Sequence, residues 1–380
     1  MPRNFKELKP AYGFDDVAIA PGDITINPEM ADISTNFDGI KLDIPFIASA
    51  MDAVVDPKFA IEMTKAGGLG VMNMDGLHTR YEDATVAYEE IASAPREEAT
   101  AIMQKIYSAP QKPELIAKKV EEVKKGGGTA AVSFVPQNAK RMAPLAVEAG
   151  ADMIVVQGTV VTARHSSKSL KGLVFADLIK DLNVPVLVGN TVSYEVTKEL
   201  MQQGIAGVMV GVGPGSVCTS REVLGIGIPQ VSATVECAAA RDDFFKETGK
   251  HIPIITDGGI RTGGDVCKSF AAGANAVMIG SPFAKTEEAP AHGYHWGMAT
   301  WHDSLPRGTR INVGTEYSLH QLLYGPSSRT DGTLNLVGAL QVCMGYVGAE
   351  NLREMNKARM VYAPAIKTEG KIYQAAGLGS

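Results

Sequence analysis

The hydrophobic positions of this sequence fall into eight short, continuous runs, each close to a Gly, Asn, Asp or Ser. Strands that are buried on both faces are continuously apolar, whereas strands with one wet face alternate. The pattern therefore predicts eight buried strands: IPFIASA (44–50), LGVMN (69–73), TAAVSF (129–134), MIVVQG (153–158), VPVLVGN (184–190), GVMVGV (207–212), PIITDGG (253–259) and AVMIGS (276–281).

Amphipathic segments of helix length lie between most of these runs. VSYEVTKELMQQG (192–204) follows the fifth run and TGGDVCKSFAAGA (262–274) follows the seventh, and glycine near the end of each is typical of a helix C-terminus. About eight strand–helix repeats predict an α/β fold of the (β/α)8 TIM-barrel type. A doubly wound open sheet is the alternative, but no GxGxxG follows the first strand.

Two segments do not fit the repeat. A long loop (290–314) follows the eighth strand, and a tail (363–380) ends the chain. Loops of such length are usually functional lids or disordered segments. The stretch WGMATWHDSLPRGTR contains two Trp and two Arg, which favours a mobile flap. We expect a single catalytic domain over residues 1–380.

Charge and cysteine usage narrow the functional classes. The net charge is −6 with no long run of one sign, which makes nucleic acid an unfavourable partner. The four cysteines are scattered without a CxxC pair, as in reduced cytosolic enzymes. The N-terminal segment has no apolar signal region, and no apolar run reaches the roughly 18–20 residues of a membrane span. We expect a cytoplasmic protein without a membrane partner.

The ends of the seventh and eighth predicted strands carry glycine turns, DGG (257–259) and IGS (279–281). In a (β/α)8 barrel the chemistry takes place where strands end and loops begin. Two neighbouring turns with accessible backbone N–H groups, each followed by a helix, predict an anion site, most often for phosphate. Asp257 is placed to accept hydrogen bonds from sugar hydroxyls, and helix capping is its alternative role.

Cys218 stands in a glycine-rich loop after the sixth strand, GVGPGSVCTSREVLG (211–225), beside the predicted phosphate site. Ser216 of this loop can donate to the same anion. The thiolate is the reactive form of cysteine, and local positive charge favours it. Cys218 is thus either a nucleophile or a small residue in a turn. The other cysteines lie in helical patterns and are expected to pack in the core: Cys237, Cys267 and Cys343.

Several motifs follow one another in order over nearly the whole chain: AYGFDDVAIAPG, IPFIASAMDAV, GVGPGSVCTSR, GIPQVSA, DGGIRTGGD, GSPFAKTEEAP and YHWGM. A lone glycine-rich cysteine loop is a weak signal, but this ordered set is specific. It resembles the IMP dehydrogenase / GMP reductase family. The resemblance implies redox chemistry at purine C2 or C6 with a nicotinamide cofactor and a loop cysteine, in a homotetramer.

The resemblance also implies a role for each matching residue. Cys218 would attack the purine, with the hydroxyl of Ser220 nearby. The nucleotide would be bound by Ser49, Met51, Asn190, Ser216, Asp257, Gly259, Gly280, Ser281, Tyr294 and Met298, of which Asp257 would hold the ribose. The cofactor would lie against Gln157, Gly158, Asn190 and Gly211. The carbonyls of a K⁺ loop would come from Gly213, Gly215 and Cys218, completed by Glu369 and Gly370 of a neighbouring subunit.

The sequence departs from the family pattern in several places. About 55 residues separate the second and third strands, too few for the CBS domain pair that many IMP dehydrogenases insert there. Gln157 replaces the usual aspartate for the nicotinamide ribose, and Ser220 replaces a threonine. The flap lacks the Arg-Tyr pair that activates water, and Arg307 is the expected substitute. Val313 occupies the position that reads purine N1, and Glu316 is the nearby candidate to compensate. These differences resemble the CBS-less, IMP dehydrogenase-related branch.

The leading hypothesis is an NAD-dependent IMP dehydrogenase that converts IMP to XMP through a covalent Cys218 thioimidate, in guanine nucleotide biosynthesis. GMP reductase, which deaminates GMP with NADPH, is the first alternative. It relies on a Thr–Glu relay that Ser220 and Val313 would weaken. A nucleotide-binding regulatory protein without catalysis is the second alternative, although such a protein has no need of the thiol.

Overall fold

A computed structural model describes residues 7–166, 173–297 and 310–366. Three short strands come first, β1 (Val17–Ile19), β2 (Thr35–Phe37) and β3 (Ile40–Leu42). The next eight strands are β4 (Phe46–Ala48), β5 (Leu69–Asn73), β6 (Ala131–Phe134), β7 (Met153–Gln157), β8 (Val186–Thr191), β9 (Gly207–Val210), β10 (Ile254–Asp257) and β11 (Ala276–Ile279). They are followed by β12 (Tyr294–Trp296), β13 (Arg310–Asn312) and β14 (Met360–Tyr362).

Strands β4 to β11 coincide with the eight apolar runs and close into a parallel barrel, which confirms the predicted (β/α)8 fold. Every residue of β5 and β8 is buried, which explains why the runs are continuously apolar. Side chains such as Leu187 and Met209 fill the barrel together with Phe37 of the β2–β3 hairpin. Because Phe37 lies against Gly207, the first residue of β9, the hairpin closes the amino end of the barrel.

The helices of the described ranges are α1 (Pro57–Lys65), α2 (Thr85–Ser93), α3 (Ala99–Tyr107), α4 (Glu114–Lys125), α5 (Pro136–Glu148), α6 (Phe175–Leu182), α7 (Tyr194–Gln202), α8 (Ser220–Leu224), α9 (Gln230–Thr248), α10 (Gly263–Ala271), α11 (Ser281–Ala284), α12 (Leu319–Tyr324), α13 (Leu336–Val347) and α14 (Leu352–Met355). The predicted helices α7 and α10 are each followed by a glycine with positive φ, Gly204 at +86° and Gly273 at +114°. Only glycine adopts this conformation readily, so the two glycines end the helices.

The segment between β5 and β6 forms three helices, α2, α3 and α4, instead of one. Helices α2 and α3 pack against β12, with Ile91, Met103 and Trp296 in one apolar cluster. We name α2 and α3 the helical insert. It lies beside the strand that leads into the expected flap.

Outside the barrel, β1 pairs with β14 and β12 pairs with β13, both antiparallel. The first pairing brings the end of the described chain back to its beginning, and the second forms a hairpin stem. The expected flap and tail fall mainly on residues 298–309 and 367–380, outside the described ranges. Among the described helices, none combines the length and the apolar character that crossing a membrane requires.

Candidate active site

A cavity of about 790 Å³ opens at the carboxyl ends of the barrel strands. This is the end at which (β/α)8 barrels carry their active sites. The structure brings most of the predicted site residues together in its wall: Ser49, Met51, Gln157, Gly158, Asn190, Gly211, Gly213, Gly215, Ser216, Cys218, Ser220, Asp257, Gly259, Gly280 and Ser281.

The loop after β9 presents Cys218 to this cavity. Gly213 has a φ of +80°, and a Cβ there would lie 2.6 Å from Cγ of Arg221, so the turn requires glycine. The amide of Cys218 donates to the carbonyl of Gly215 at 3.1 Å, just before α8 begins at the buried Ser220. The thiol side chain remains exposed and can meet a ligand.

Cys218 differs in this respect from the other cysteines. Burial raises the pKa of the Cys237 thiol to about 12. The neighbouring thiol of Cys343, together with burial, raises the pKa of Cys267, and Cys343 itself is half-buried. A buried thiol with a raised pKa holds little thiolate at neutral pH. Among the four cysteines, Cys218 is the one whose side chain is exposed, as a nucleophile requires.

Two amide side chains hold Asp257 at the end of β10. Its Oδ2 accepts a hydrogen bond from Nδ2 of Asn190 at 2.8 Å and another from Nε2 of Gln157 at 2.9 Å. Asn190 also donates to the carbonyl of Gly211 at 2.9 Å, which ties this group to the cysteine loop. Burial raises the pKa of Asp257 to about 6, and the two hydrogen bonds oppose that shift. The carboxyl is therefore ionised at neutral pH and can accept from ligand hydroxyls.

The residues predicted to bind phosphate form one edge of the cavity. The Oγ atoms of Ser216 and Ser281 are 2.6 Å apart, so the loops after β9 and β11 meet. Gly258 and Gly259 have φ values of +85° and +78°, as the predicted glycine turn requires. Lys285 also lines the cavity. Sequence reasoning missed it, although the motif GSPFAKTEEAP contains it. Hydroxyls and a lysine together suit an anionic group.

Tyr294 lies outside the cavity wall, contrary to the role that the resemblance implied. Its ring packs on the apolar cluster of Trp296, with the guanidinium carbon of Arg310 at 5.0 Å from the ring centroid. Successive residues of a strand face opposite sides. Tyr294 and Trp296 therefore share the side of the helical insert, and His295 between them lines the cavity.

Glu316 also lies outside the cavity wall. Its carboxylate forms ion pairs with Lys285, at 2.8 Å, and with Arg329. These two hydrogen-bonded cations lower the pKa of Glu316. The attraction between opposite charges thus holds the carboxylate against Lys285 and Arg329, outside the cavity wall.

Some expectations concern residues outside the described ranges: Met298, Arg307, Glu369 and Gly370. Their roles stay predictions. The cation site stays a prediction as well, because its described part consists of the glycine loop around Cys218.

Sequence reasoning also missed a buried polar network behind the cavity. Oδ2 of Asp52 accepts from the hydroxyl of Tyr107 at 2.6 Å and from the amide of Leu77 at 2.9 Å. The indole Nε1 of Trp296 donates to the hydroxyl of Tyr107 at 2.8 Å. Burial raises the pKa of Asp52. An acid within the apolar stretch IPFIASAMDAVV was the available signal, but its partners are remote in sequence.

The fold and the cavity define a class of protein: a (β/α)8 barrel in which an exposed loop thiol, a buried-strand carboxylate and a pair of serine hydroxyls share one cavity at the carboxyl ends of the strands. The family model for the IMP dehydrogenase / GMP reductase domain matches residues 11–300. The chain belongs to this family, which confirms the resemblance inferred from its motifs.

Relatives agree over nearly the full length. An uncharacterized oxidoreductase of Mycolicibacterium smegmatis is 39% identical over 91% of this chain and 95% of its own. The inosine-5′-monophosphate dehydrogenase of Cryptosporidium parvum is 30% identical over 93% of this chain and 92% of its own. The crystal structure of an IMP dehydrogenase/GMP reductase-like protein from Corynebacterium glutamicum has a TM-score of 0.88 and 34% identity, and the match covers 94% of this chain and 96% of that one.

Proposed function

We propose that this protein is an oxidoreductase of purine nucleotides, and specifically an NAD-dependent IMP dehydrogenase that forms XMP for guanine nucleotide synthesis. The observation that carries the proposal is the placement of the exposed Cys218 thiol in one cavity with Asp257 and the Ser216–Ser281 edge. A protein that only binds nucleotides needs the carboxylate and the anion edge, but it has no need of an accessible thiol in a glycine loop.

The reaction begins at Cys218. The sulfur of its thiolate bonds to C2 of the hypoxanthine ring, and the electron pair of the C2–N3 double bond moves to N3. The tetrahedral C2 then releases its hydrogen as hydride, and the returning electron pair restores the double bond to give a thioimidate. Bound NAD⁺ supplies the hydride acceptor. A covalent adduct divides one difficult substitution into two easier steps.

Water then completes the reaction. Its oxygen bonds to C2, the carbon–sulfur bond breaks, and the thiolate of Cys218 leaves as XMP forms. A base must accept the proton of this water. Arg307 is the expected base, and it lies outside the described residues. Because a free guanidinium has a pKa above about 12, Arg307 acts as a base only where its surroundings lower that value strongly.

Asp257 orients the nucleotide for this chemistry. At neutral pH its carboxylate accepts hydrogen bonds from the ribose hydroxyls. Because Asn190 and Gln157 already donate to Oδ2, the carboxylate is fixed before the ligand binds. Pre-fixed acceptors lower the entropic cost of placing C2 against the thiol.

The wall of Gln157, Gly158 and Asn190 suits the cofactor. A Cβ at Gly158 would lie 3.3 Å from the side chain of Val161, so the close packing of these two residues favours glycine here. The amide of Gln157 bonds to Asp257, and its position offers neutral groups to a ribose where the family usually offers a carboxylate. The volume of about 790 Å³ lies high in the range of about 300–1,000 Å³ for ligand sites, which leaves room beside a mononucleotide.

The position of Glu316 favours the dehydrogenase over the reductase. A Thr–Glu relay needs a carboxyl group that reaches the reacting ring and exchanges protons near neutral pH. Glu316 instead pairs with Lys285 and Arg329 at the rim, and these cations keep its pKa low.

The test is the absorbance of NADH after wild-type protein is mixed with IMP, NAD⁺ and K⁺, with Cys218→Ala alongside. We expect a signal from the wild type and none from the variant. NADPH consumption with GMP, in place of NADH formation with IMP, would replace the proposal by GMP reductase. Silence in both assays with retained IMP binding would leave a nucleotide-binding protein.

A further inference from the structure

Helices α10 and α13 pack closely against each other. A Cβ at Gly263 would lie 2.4 Å from Cβ of Ala339, so the two backbones approach where α10 has no side chain. Residues four apart on a helix lie on the same face. The residues one turn beyond this contact, Cys267 on α10 and Cys343 on α13, therefore face each other. A disulfide requires Cα atoms no more than about 7 Å apart, and closely packed helices supply such a separation.

Both cysteines are free thiols, and they differ in their access to solvent. Cys267 is 5% exposed, and its thiol has two acceptors: the carbonyl oxygen of Ala339 at 3.4 Å and the sulfur of Cys343. The hydrogen bond from Cys267 lowers the pKa of Cys343. Cys343 is half-buried, and its neighbour Val342 is exposed. A reagent in solution therefore meets Cys343 first, with Cys267 behind it.

The two helices also border the cavity near their amino ends. The amide of Gly263, the first residue of α10, donates to the carbonyl of Gly332 at 2.8 Å. Arg261, which precedes α10, and Thr333, which follows Gly332 in the loop before α13, both line the cavity. A covalent bond between α10 and α13 would therefore restrain this edge of the cavity.

We propose that Cys343 and Cys267 form a reversible disulfide within the chain by exchange with a low-molecular-weight disulfide, the oxidised form of a small thiol. The inference is independent of the proposed function, because both thiols lie outside the cavity wall.

The exchange takes place in two steps. The thiolate of Cys343 attacks one sulfur of the small disulfide, whose sulfur–sulfur bond breaks, and the first small thiolate leaves. The sulfur of Cys267 then attacks Sγ of Cys343 in this mixed disulfide and displaces the second small thiolate. The two protein thiols lose two electrons to the small disulfide, and their two protons end on the two small thiols. An excess of the small thiol reverses both steps.

The first test uses Cys218→Ala protein, so that the exposed thiol of Cys218 does not react with the reagent. Folded protein is incubated with oxidised glutathione, free thiols are blocked with N-ethylmaleimide, and tryptic peptides are analysed by mass spectrometry without reduction. We expect one cross-linked pair, residues 262–268 joined to residues 330–353, which disappears after treatment with dithiothreitol. Absence of this pair, or cysteines joined between two molecules instead, would overturn the assignment.

Two matched variants in the same background test the order of the steps. Cys267→Ser leaves the accessible thiol without its partner, so the mixed disulfide should accumulate at Cys343. Cys343→Ser leaves Cys267 buried with a raised pKa, and this thiol should take up the small thiol at least about tenfold less. Equal uptake in the two variants contradicts this order. Cys237→Ala removes a buried thiol of α9 and is the control that should keep the cross-link.

The third test measures the restraint on the fold. A cross-link between distant parts of the chain lowers the entropy of the unfolded state. Oxidised Cys218→Ala protein should therefore unfold at a higher urea concentration than the reduced form, and amide exchange over residues 258–268 should slow. The same protein with Cys343→Ser added should show one urea midpoint with and without the reagent. A midpoint that stays equal or falls on oxidation would show that the disulfide does not restrain α10.

Discussion

Two walls enclose the cavity, and they are built in different ways. In the strand-end wall, the barrel ladder holds the backbone, and polar side chains such as Cys218 and Asp257 line the cavity. In the hairpin wall, β12 and β13 are held by buried side chains of the helical insert and its neighbours, including Tyr107. Changes in the first wall should therefore alter the reaction, and changes in the second should alter stability and nucleotide binding.

The largest effect is expected for Cys218→Ala. Loss of the nucleophile should lower kcat by at least about 10³-fold, as for other catalytic nucleophiles. The unfolding free energy should change by less than about 0.5 kcal/mol, because the thiol is exposed. Steady-state kinetics and urea unfolding measure the two quantities. Cys343→Ser, on a helix outside the cavity wall, is the control that should keep its activity.

Retained turnover in Cys218→Ala would remove the thiol from the mechanism. A large loss of stability in the same variant would contradict the contrast between the walls, because the strand-end wall would then also depend on its functional side chains.

The second effect is on the hairpin wall. Tyr107→Phe removes the hydroxyl that donates to Asp52 and accepts from Trp296. Two buried polar groups lose a partner, so the unfolding free energy should fall by about 1–3 kcal/mol. Urea unfolding checks this value. At saturating IMP, kcat should stay within about twofold, because the change alters binding and not the chemical step.

Tyr324→Phe is the matched control for this substitution. Its hydroxyl donates to the carbonyl of Ala66 at an exposed site, so its loss should cost less than about 1 kcal/mol. Equal losses in the two variants would show that the buried network contributes no more than a surface hydrogen bond.

The same contrast explains what could be predicted from the sequence. The strand-end wall was predicted because each strand, its glycine turn and the polar residue after it are adjacent in sequence. Cys218 and Asp257 could be placed from strand order alone. The hairpin wall depends on contacts between remote segments, such as Tyr107 with Trp296. Only the pairing of β12 with β13 shows that His295, and not Tyr294, faces the cavity.

The third effect is a pH dependence of the strand-end wall. The folded-state pKa of Asp257 is raised to about 6 from 3.8, so its carboxylate protonates as the pH falls through 6. Inosine has the ribose hydroxyls but lacks the phosphate, so its affinity measures the proposed contact with Asp257 alone. Its affinity should fall below pH 6, by up to about tenfold per pH unit, when measured by calorimetry with Cys218→Ala protein. When Asp257→Asn is combined with Cys218→Ala, the inosine affinity should no longer change with pH.

The free energy of unfolding should depend on pH in the opposite direction. Because burial raises this pKa, the folded state favours the protonated carboxyl, and the contribution of Asp257 is full below pH 3.8 and lost as the pH rises through about 6. The free-energy difference between wild type and Asp257→Asn should follow this direction in urea unfolding at pH 4.5 and pH 7. An unchanged difference would show that folding does not raise the pKa of Asp257.

The smallest expected effect tests whether Gln157 holds the carboxylate of Asp257. Its hydrogen bond to Oδ2 lowers the pKa of Asp257, and that of Asn190 lowers it more. A net hydrogen-bond contribution of about 0.5–1.5 kcal/mol corresponds to roughly half a pKa unit to one unit. Gln157→Ala should therefore raise the midpoint of the inosine profile by about that amount, and Asn190→Ala should raise it further. An unmoved midpoint would mean that Gln157 does not hold Asp257 in solution. Its amide would then be free to face the cofactor.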